Sequence, residues 1–311
     1  MKLPTEPFTY RRRVAFGDCD PARIYYAPRA VDYAVEAVEA WHESVLGVSW
    51  TEWIERHRLE PDFTRIDCEY FRPLLPDQVV RVRVWVVGNG RETLTFLAAG
   101  EDDSGKRCFR VRLEGRFLER GTGSPAPVPA KHRERIEEYR VRCGGNEDAL
   151  SRTGRTEGIP PRKPKAGGKP FTRMRRVLYG ECGPSGKIYP PKVFEYAVEV
   201  VGEWYEEVAG VSWLTLIAVR GQGAPWVSAG CAFLAPMVPG QEIRVTVRVT
   251  RLGRSSIGFS VTGEAGGGEA CFEAEMTACL IDQEAGFRPM PVPEEMAERI
   301  RAYRAASGDE G

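Results

Sequence analysis

The chain has 311 residues, with 44 Lys and Arg against 44 Asp and Glu and 42% apolar residues. That length suits two domains of about 150 residues, each burying its own core. The balanced charge offers nothing that attracts nucleic acid or an anionic membrane, and no run approaches the roughly 18 apolar residues of a membrane span.

In chain order, a strand over about 7–16 leads into a loop containing Asp20. Pro28 then stands where a helix opens, with its φ already set. Ala30, Ala34, Ala37, Val38, Trp41 and Val45 recur at helical spacing, and Val31 and Val35 widen the stripe to nearly the whole circumference. Such a helix is enclosed on most sides. Four segments of period two follow at about 65–72, 79–88, 92–101 and 106–119, the plainest being Arg81-Val82-Arg83-Val84-Trp85-Val86. Short turns at Gly88-Asn89-Gly90 and Asp102-Asp103-Ser104-Gly105 predict antiparallel hairpins. A closing helix is expected over about 131–141.

The whole order then repeats. Residues 13–50 and 176–213 match without a gap at an offset of 163, with 19 of 38 positions identical. The offset persists through Pro73 and Pro236, Gly100 and Gly263, and Cys108-Phe109 and Cys271-Phe272. It becomes 164 beyond residue 120, pairing Tyr139 with Tyr303 and giving a second closing helix at about 294–305. The chain is therefore a duplicated unit. Domains are expected at 1–141 and 170–311, joined by a polar Gly- and Pro-rich linker over 142–169. One enclosed helix followed by an antiparallel meander gives an α+β fold with the sheet curled around the helix. Units kept this similar are expected to associate within one chain as a pseudo-dimer with one continuous sheet. A homodimer of the full chain is a further expectation.

Eight cysteines include three pairs placed by duplication, Cys19 with Cys182, Cys68 with Cys231 and Cys108 with Cys271. They are equivalent positions, not bonded partners, and read as reduced and mostly buried in a cytoplasmic protein. The lack of a CxxC spacing and the presence of only three histidines, His42, His57 and His132, argue against a zinc site. The N-terminal MKLPTEPFTYRRRV has no apolar h-region.

Phe16-Gly17-Asp18-Cys19-Asp20-Pro21-Ala22, then Ile24-Tyr25-Tyr26-Ala27-Pro28 and the helix, resembles the signature of hot-dog-fold thioesterases of the 4-hydroxybenzoyl-CoA thioesterase class. The resemblance covers both halves, in a tandem arrangement. It implies two hot-dog units, each a long helix wrapped by an antiparallel sheet. It also implies hydrolysis of an acyl or aryl thioester linked to CoA or an acyl carrier protein, with no cofactor and no metal. By family position, Asp20 is the catalytic acid and the Ala27 N–H the oxyanion donor. The chemistry fits, because thioester hydrolysis needs a carboxylate as nucleophile or base and donors at the developing oxyanion. Asp20 lies eight residues before Pro28, so its loop can fold the carboxylate over the free N–H groups of the helix start. The same acid could instead serve only to satisfy loop backbone. Asp18, whose match is Glu181, reads as a loop-structuring acid.

The two copies differ where the chemistry lies. Gly183 replaces Asp20 and Gly186 replaces Arg23, so one working loop is expected, with both helix N-termini still able to accept an acyl carbonyl. Arg23 is expected to reach solvent. Tyr26 and Trp50 are candidates to line the acyl or aryl pocket. Arg91 and Arg254, in matching turns, are candidates for a substrate phosphate, with Ser255 a donor to the pantetheine arm. Each has a plainer reading: core aromatics, solvated hairpin arginines and a strand-start serine. The alternatives to a hydrolase are a dehydratase or cyclase of the same fold acting on a carrier-bound chain, and an inactive acyl-binding protein. No histidine stands in an HxxxxG-like setting that a dehydratase would need.

Overall fold

The computed structural model describes residues 3–144 and 169–308, which fall into two compact units divided near residue 155. The expected linker lies almost wholly outside the described residues.

The first unit opens with β1 (Phe8–Arg13), then the loop carrying Asp20, then α1 (Arg29–Trp41), which continues through a wider turn over His42–Leu46. A short helix α2 (Trp50–Glu55) precedes β2 (Leu59–Tyr70), β3 (Val79–Asn89), β4 (Thr93–Glu101), β5 (Arg107–Glu119) and a two-residue β6 (Pro125–Ala126). Helix α3 (Ala130–Arg142) closes the unit. Sequence periodicity misses α2, although its start carries a clear signal. Ser49 caps it by accepting the Glu52 N–H, and the Glu52 side chain returns the bond to the Ser49 N–H. Strand β2 also begins six residues earlier than its alternation suggests, because Leu59–Phe63 pair with the end of β5.

The strands run antiparallel in the order β1-β3-β4-β5-β2. Val80, Val82, Val84 and Val86 of β3 are fully buried, while Arg81 and Arg83 take the other face. Helix α1 packs on the buried face, and nine of its thirteen residues are buried, as the wide apolar stripe requires. Trp41 stands edge-on to Phe96 and Tyr139 at 5.0 and 5.3 Å. Tyr139 then ties α3 to the sheet: its hydroxyl donates to the Val84 carbonyl at 2.6 Å and accepts the Phe8 N–H at 2.8 Å.

The second unit repeats this plan with β7 (Phe171–Arg176), α4 (Pro191–Glu207), α5 (Trp213–Ala218), β8 (Gln222–Gly223), β9 (Trp226–Phe233), β10 (Glu242–Leu252), β11 (Ser256–Ala265) and β12 (Ala270–Cys279). It ends with β13 (Ile281–Asp282), β14 (Arg288–Pro289) and α6 (Glu294–Ser307). The order β7-β10-β11-β12-β9 mirrors the first unit, and β8, β13 and β14 form a small sheet of their own. Even the sheet irregularity is duplicated, at Val86/Gly88 and again at Val249/Arg251, where a bulge adds curl. Tyr303 repeats the stitch of Tyr139 between the Val247 carbonyl and the Phe171 N–H. Gly100 and Gly263 are required by close approach: a Cβ would lie 2.3 Å from the Phe109 ring and 2.0 Å from the Phe272 ring. All eight cysteines are free and five are buried. Among the described residues, no helix is long and apolar enough to cross a membrane.

Candidate active site

The site begins with Asp18. Its buried carboxylate accepts the Ala15 N–H and the Tyr33 hydroxyl, each at 3.0 Å, with Arg12 at 3.5 Å and Arg29 at 3.9 Å. Its carbonyl accepts the Tyr26 N–H at 2.8 Å. One residue thus fastens the loop to the second turn of α1 and to the segment entering the helix. The reading of Asp18 as a loop-structuring acid is carried by these contacts. The Arg12 guanidinium adds a cation over the Tyr33 ring, 4.5 Å from its centroid.

Within that frame the loop closes on itself. The Asp20 N–H donates to the Ile24 carbonyl at 3.0 Å, and the Arg23 N–H to the Asp20 carbonyl at 2.9 Å. The Asp20 carboxylate accepts the Ala22 N–H at 2.8 Å, so part of its role is the backbone-satisfying one. Asp20 is half-buried, and burial raises its pKa above the ordinary carboxylate value, opposed by the N–H groups of Ala22 and Ile24. Cys19 beside it is held as a thiol, first by burial and then by Asp18, Asp20 and Asp77. Arg23 is exposed with φ +63°, the left-handed region that Gly186 occupies without strain at φ +76°.

Ala27 follows, immediately before Pro28 and α1. Tyr26, Arg29, Ala30 and Val31 all place their N–H groups on nearby carbonyls, whereas among the described residues the Ala27 N–H donates to none. The loop that leads into α1 therefore carries a half-buried carboxylate, and an uncommitted backbone donor stands at the positive end of that helix. Tyr26 lies between them and is half-buried.

The other predicted residues do not gather there. Trp50 opens α2 at the opposite end of α1, about 20 Å along a helix of thirteen residues. It packs against His42 and Phe63, at 6.1 Å from each. Arg91 is exposed in the β3–β4 turn beside α3, an eleven-residue strand away from the Asp20 end, or about 35 Å. Arg254 is exposed and Ser255 half-buried in the β10–β11 turn, where their carbonyls accept the N–H groups of Val292 and Leu280. All three histidines of the chain converge around Trp53 at the far end of the first unit. His42 Nδ1 accepts the Trp53 Nε1–H at 3.1 Å, and the rings of His57, tilted, and His132, edge-on, each lie 4.8 Å from the Trp53 ring. None of them reaches Asp20.

The second loop keeps the frame without the Asp20 carboxylate. Glu181 accepts the Leu178 N–H at 2.8 Å and the Tyr196 hydroxyl at 2.5 Å, and its carbonyl accepts the Tyr189 N–H. It is committed as Asp18 is and does not replace the missing acid. One sequence expectation needs correction. The position matching Ala27 is Pro190, which has no N–H, so the second helix start lacks the donor as well as the carboxylate. The signal was present in the gapless repeat, where Tyr26-Ala27-Pro28 faces Tyr189-Pro190-Pro191. Among the described residues, no cluster of three or more His, Cys, Asp or Glu side chains is placed to hold a metal ion.

Comparisons agree with this architecture. A family model described as thioesterase-like superfamily matches residues 14–136, and one described as thioesterase superfamily matches 200–272. No curated protein matches the chain. Among solved structures, a protein named oleoyl thioesterase from Lactobacillus plantarum is similar with a TM-score of 0.68 at 15% identity, covering 92% of this chain and 97% of its own. An acyl-ACP thioesterase from Bacteroides thetaiotaomicron gives 0.63 at 13% identity, over 87% and 97%. A 12:0-ACP thioesterase from Umbellularia californica gives 0.67 at 12% identity, over 87% and 93%. Identities this low show the fold, and they show it across both units. Each half thus carries a match to a thioesterase-superfamily model, and the chain is built of two hot-dog domains.

Proposed function

We propose that the protein hydrolyses an acyl or aryl thioester linked to CoA or an acyl carrier protein, releasing the free acid, and that it does so at the Asp20 loop alone. The observation that carries this reading is that one loop leading into α1 carries both a half-buried Asp20 carboxylate and the uncommitted Ala27 N–H. The thioester carbonyl oxygen accepts the Ala27 N–H. Asp20, acting as base, takes a proton from water, and the resulting hydroxide adds to the carbonyl carbon. The oxyanion formed is stabilised by that N–H and by the helix dipole. Collapse breaks the carbon–sulfur bond, and the thiolate leaves with the proton Asp20 has taken. Addition of the carboxylate itself, followed by hydrolysis of the anhydride, uses the same two groups.

Carrier-linked substrates are suggested by the named activities of the similar structures, and Tyr26 is proposed to line the acyl entry. Trp50 and Arg91, at the opposite end of their own unit, are proposed only as secondary contacts. Dehydration is disfavoured because every histidine of the chain is gathered about Trp53.

The test is release of free thiol from a panel of acyl-CoA and aryl-CoA thioesters by the full chain. Stoichiometric thiol and acid are expected. Unsaturated thioester product without thiol would support a dehydratase, and binding without turnover an inactive carrier.

A further inference from the structure

Beneath the Asp20 loop lies a polar atom that nothing in the fold accounts for. Tyr25 is 4% exposed, its N–H is fixed on the Leu74 carbonyl at 2.9 Å, and its hydroxyl has no hydrogen-bond partner. Its ring passes inward from the loop to Phe109, 6.4 Å away, among Tyr33, Cys68 and Cys108. A buried hydroxyl without a partner is destabilising. The second unit shows that the fold can do without it. The matching position is Ile188, and Tyr70, a neighbour of Tyr25, is matched by Phe233. The surroundings are otherwise retained: Phe272, Tyr196, Cys231 and Cys271 stand where Phe109, Tyr33, Cys68 and Cys108 stand. The phenol at position 25 therefore accompanies the catalytic-type loop and not the fold.

Resting on the proposed hydrolysis at Asp20, we infer that the Tyr25 hydroxyl is a specificity determinant that binds an oxygen substituent, hydroxyl or keto, on the acyl group. Tyr25 stands five residues after Asp20 and two before Ala27. The same short segment thus carries the donor for the thioester carbonyl and the unpartnered phenol, and the acyl group would lie beside that phenol. Tyr70 is engaged with the Cys68 thiol, which leaves the Tyr25 hydroxyl to the substrate. Burial keeps the Tyr25 phenol and the Cys68 thiol protonated, so the site is neutral and suits a neutral oxygen, not a second carboxylate. A site built to hydrogen-bond such an oxygen discriminates against the analogue lacking it, because the protein group is then left unpaired.

The experiment compares CoA thioesters of one chain length, unsubstituted and carrying a hydroxyl or keto group at successive carbons, with the wild-type chain and with Tyr25→Phe. For wild type, kcat/KM is expected to favour at least one oxygenated member by about 10-fold or more. In Tyr25→Phe that ratio should fall to near one. Tyr25→Ile, which installs the residue of the second unit, should do the same and guards against a folding artefact of a single variant. Calorimetric binding of the matched free acids, which needs no turnover, should show the same preference and its loss. Hydrolysis without any preference for an oxygenated acyl group would overturn the inference while leaving the hydrolase reading intact. A preference that survives both substitutions would do so too, and would mark the hydroxyl as the seat of a structural water. Absence of thiol release from every member would instead refute the hydrolase reading, and the binding arm would then decide on Tyr25 alone.

Discussion

Replacing Ala27 by proline isolates the oxyanion donor with little other disturbance. The second unit has already made this change: Pro190 occupies the matching position with φ −51°, preceded by Tyr189 as Ala27 is by Tyr26, and followed by a proline in both cases. The surrounding hydrogen bonds are the same in both loops, with the Tyr26 and Tyr189 N–H groups donating to the Asp18 and Glu181 carbonyls at 2.8 Å. The backbone thus accepts proline here. No hydrogen bond of the free protein is lost, because the Ala27 N–H donates to no other described group. Folding stability should change by less than about 1 kcal/mol, since proline also restricts the unfolded chain. Hydrolysis should fall by about 10²–10³ in kcat, or about 3–4 kcal/mol, the loss associated with one oxyanion donor. Thiol release on an acyl-CoA substrate, with thermal unfolding followed in parallel, measures both. A folded Ala27→Pro variant that keeps kcat within about threefold of wild type would remove this N–H from the reaction.

Three other outcomes follow from particular contacts. Gly100→Ala places a methyl 2.3 Å from the Phe109 ring, and overpacking of this kind costs about 1–3 kcal/mol, read as a fall of several degrees in Tm; an unchanged Tm would mean the strand pair yields easily. His42 is buried, and burial, followed by the neighbouring His132, pushes its pKa down to about 3. Below the unfolded value of about 6.5 only the unfolded chain takes up this proton, so stability is full above pH 6.5 and is lost as pH falls toward 3. Between pH 7 and pH 5 the loss is about 2 kcal/mol, measurable by urea unfolding at the two pH values, and a flat response would contradict the buried neutral imidazole. Gly183→Asp in an Asp20→Asn background should restore no hydrolysis, because Pro190 leaves that loop without a donor; Gly183→Asp combined with Pro190→Ala is the smallest change that could, and recovery from the single change would refute the donor's importance.

The fold was largely legible because duplication prints every core position twice. Trp41 and Trp204, Tyr139 and Tyr303, and Gly100 and Gly263 fall at fixed offsets and make the same contacts in both units. The candidate acid stands out for the opposite reason, since Asp20 breaks the repeat. The unread elements depend on side chains that periodicity does not weigh. Helix α2 rests on the Ser49–Glu52 capping box, and the early start of β2 on pairing with a strand fifty residues away. Trp50 and Arg91 illustrate a different limit. Their residue types suit an acyl pocket and a phosphate, but the length of α1 and β3 carries them to the other end of the unit. Pro190 was in plain view, and its meaning emerges only when one asks which backbone N–H the chemistry requires.

The central claim is tested most directly by kcat for thioester hydrolysis in Asp20→Asn, with Glu181→Gln as the matched change in the other loop. Asp20→Asn should lose at least about 10²-fold with its unfolding transition retained, whereas Glu181→Gln should remain close to wild type. An Asp20→Asn protein that keeps most of its kcat, or a Glu181→Gln protein that loses it, would contradict the assignment of the reaction to the first loop.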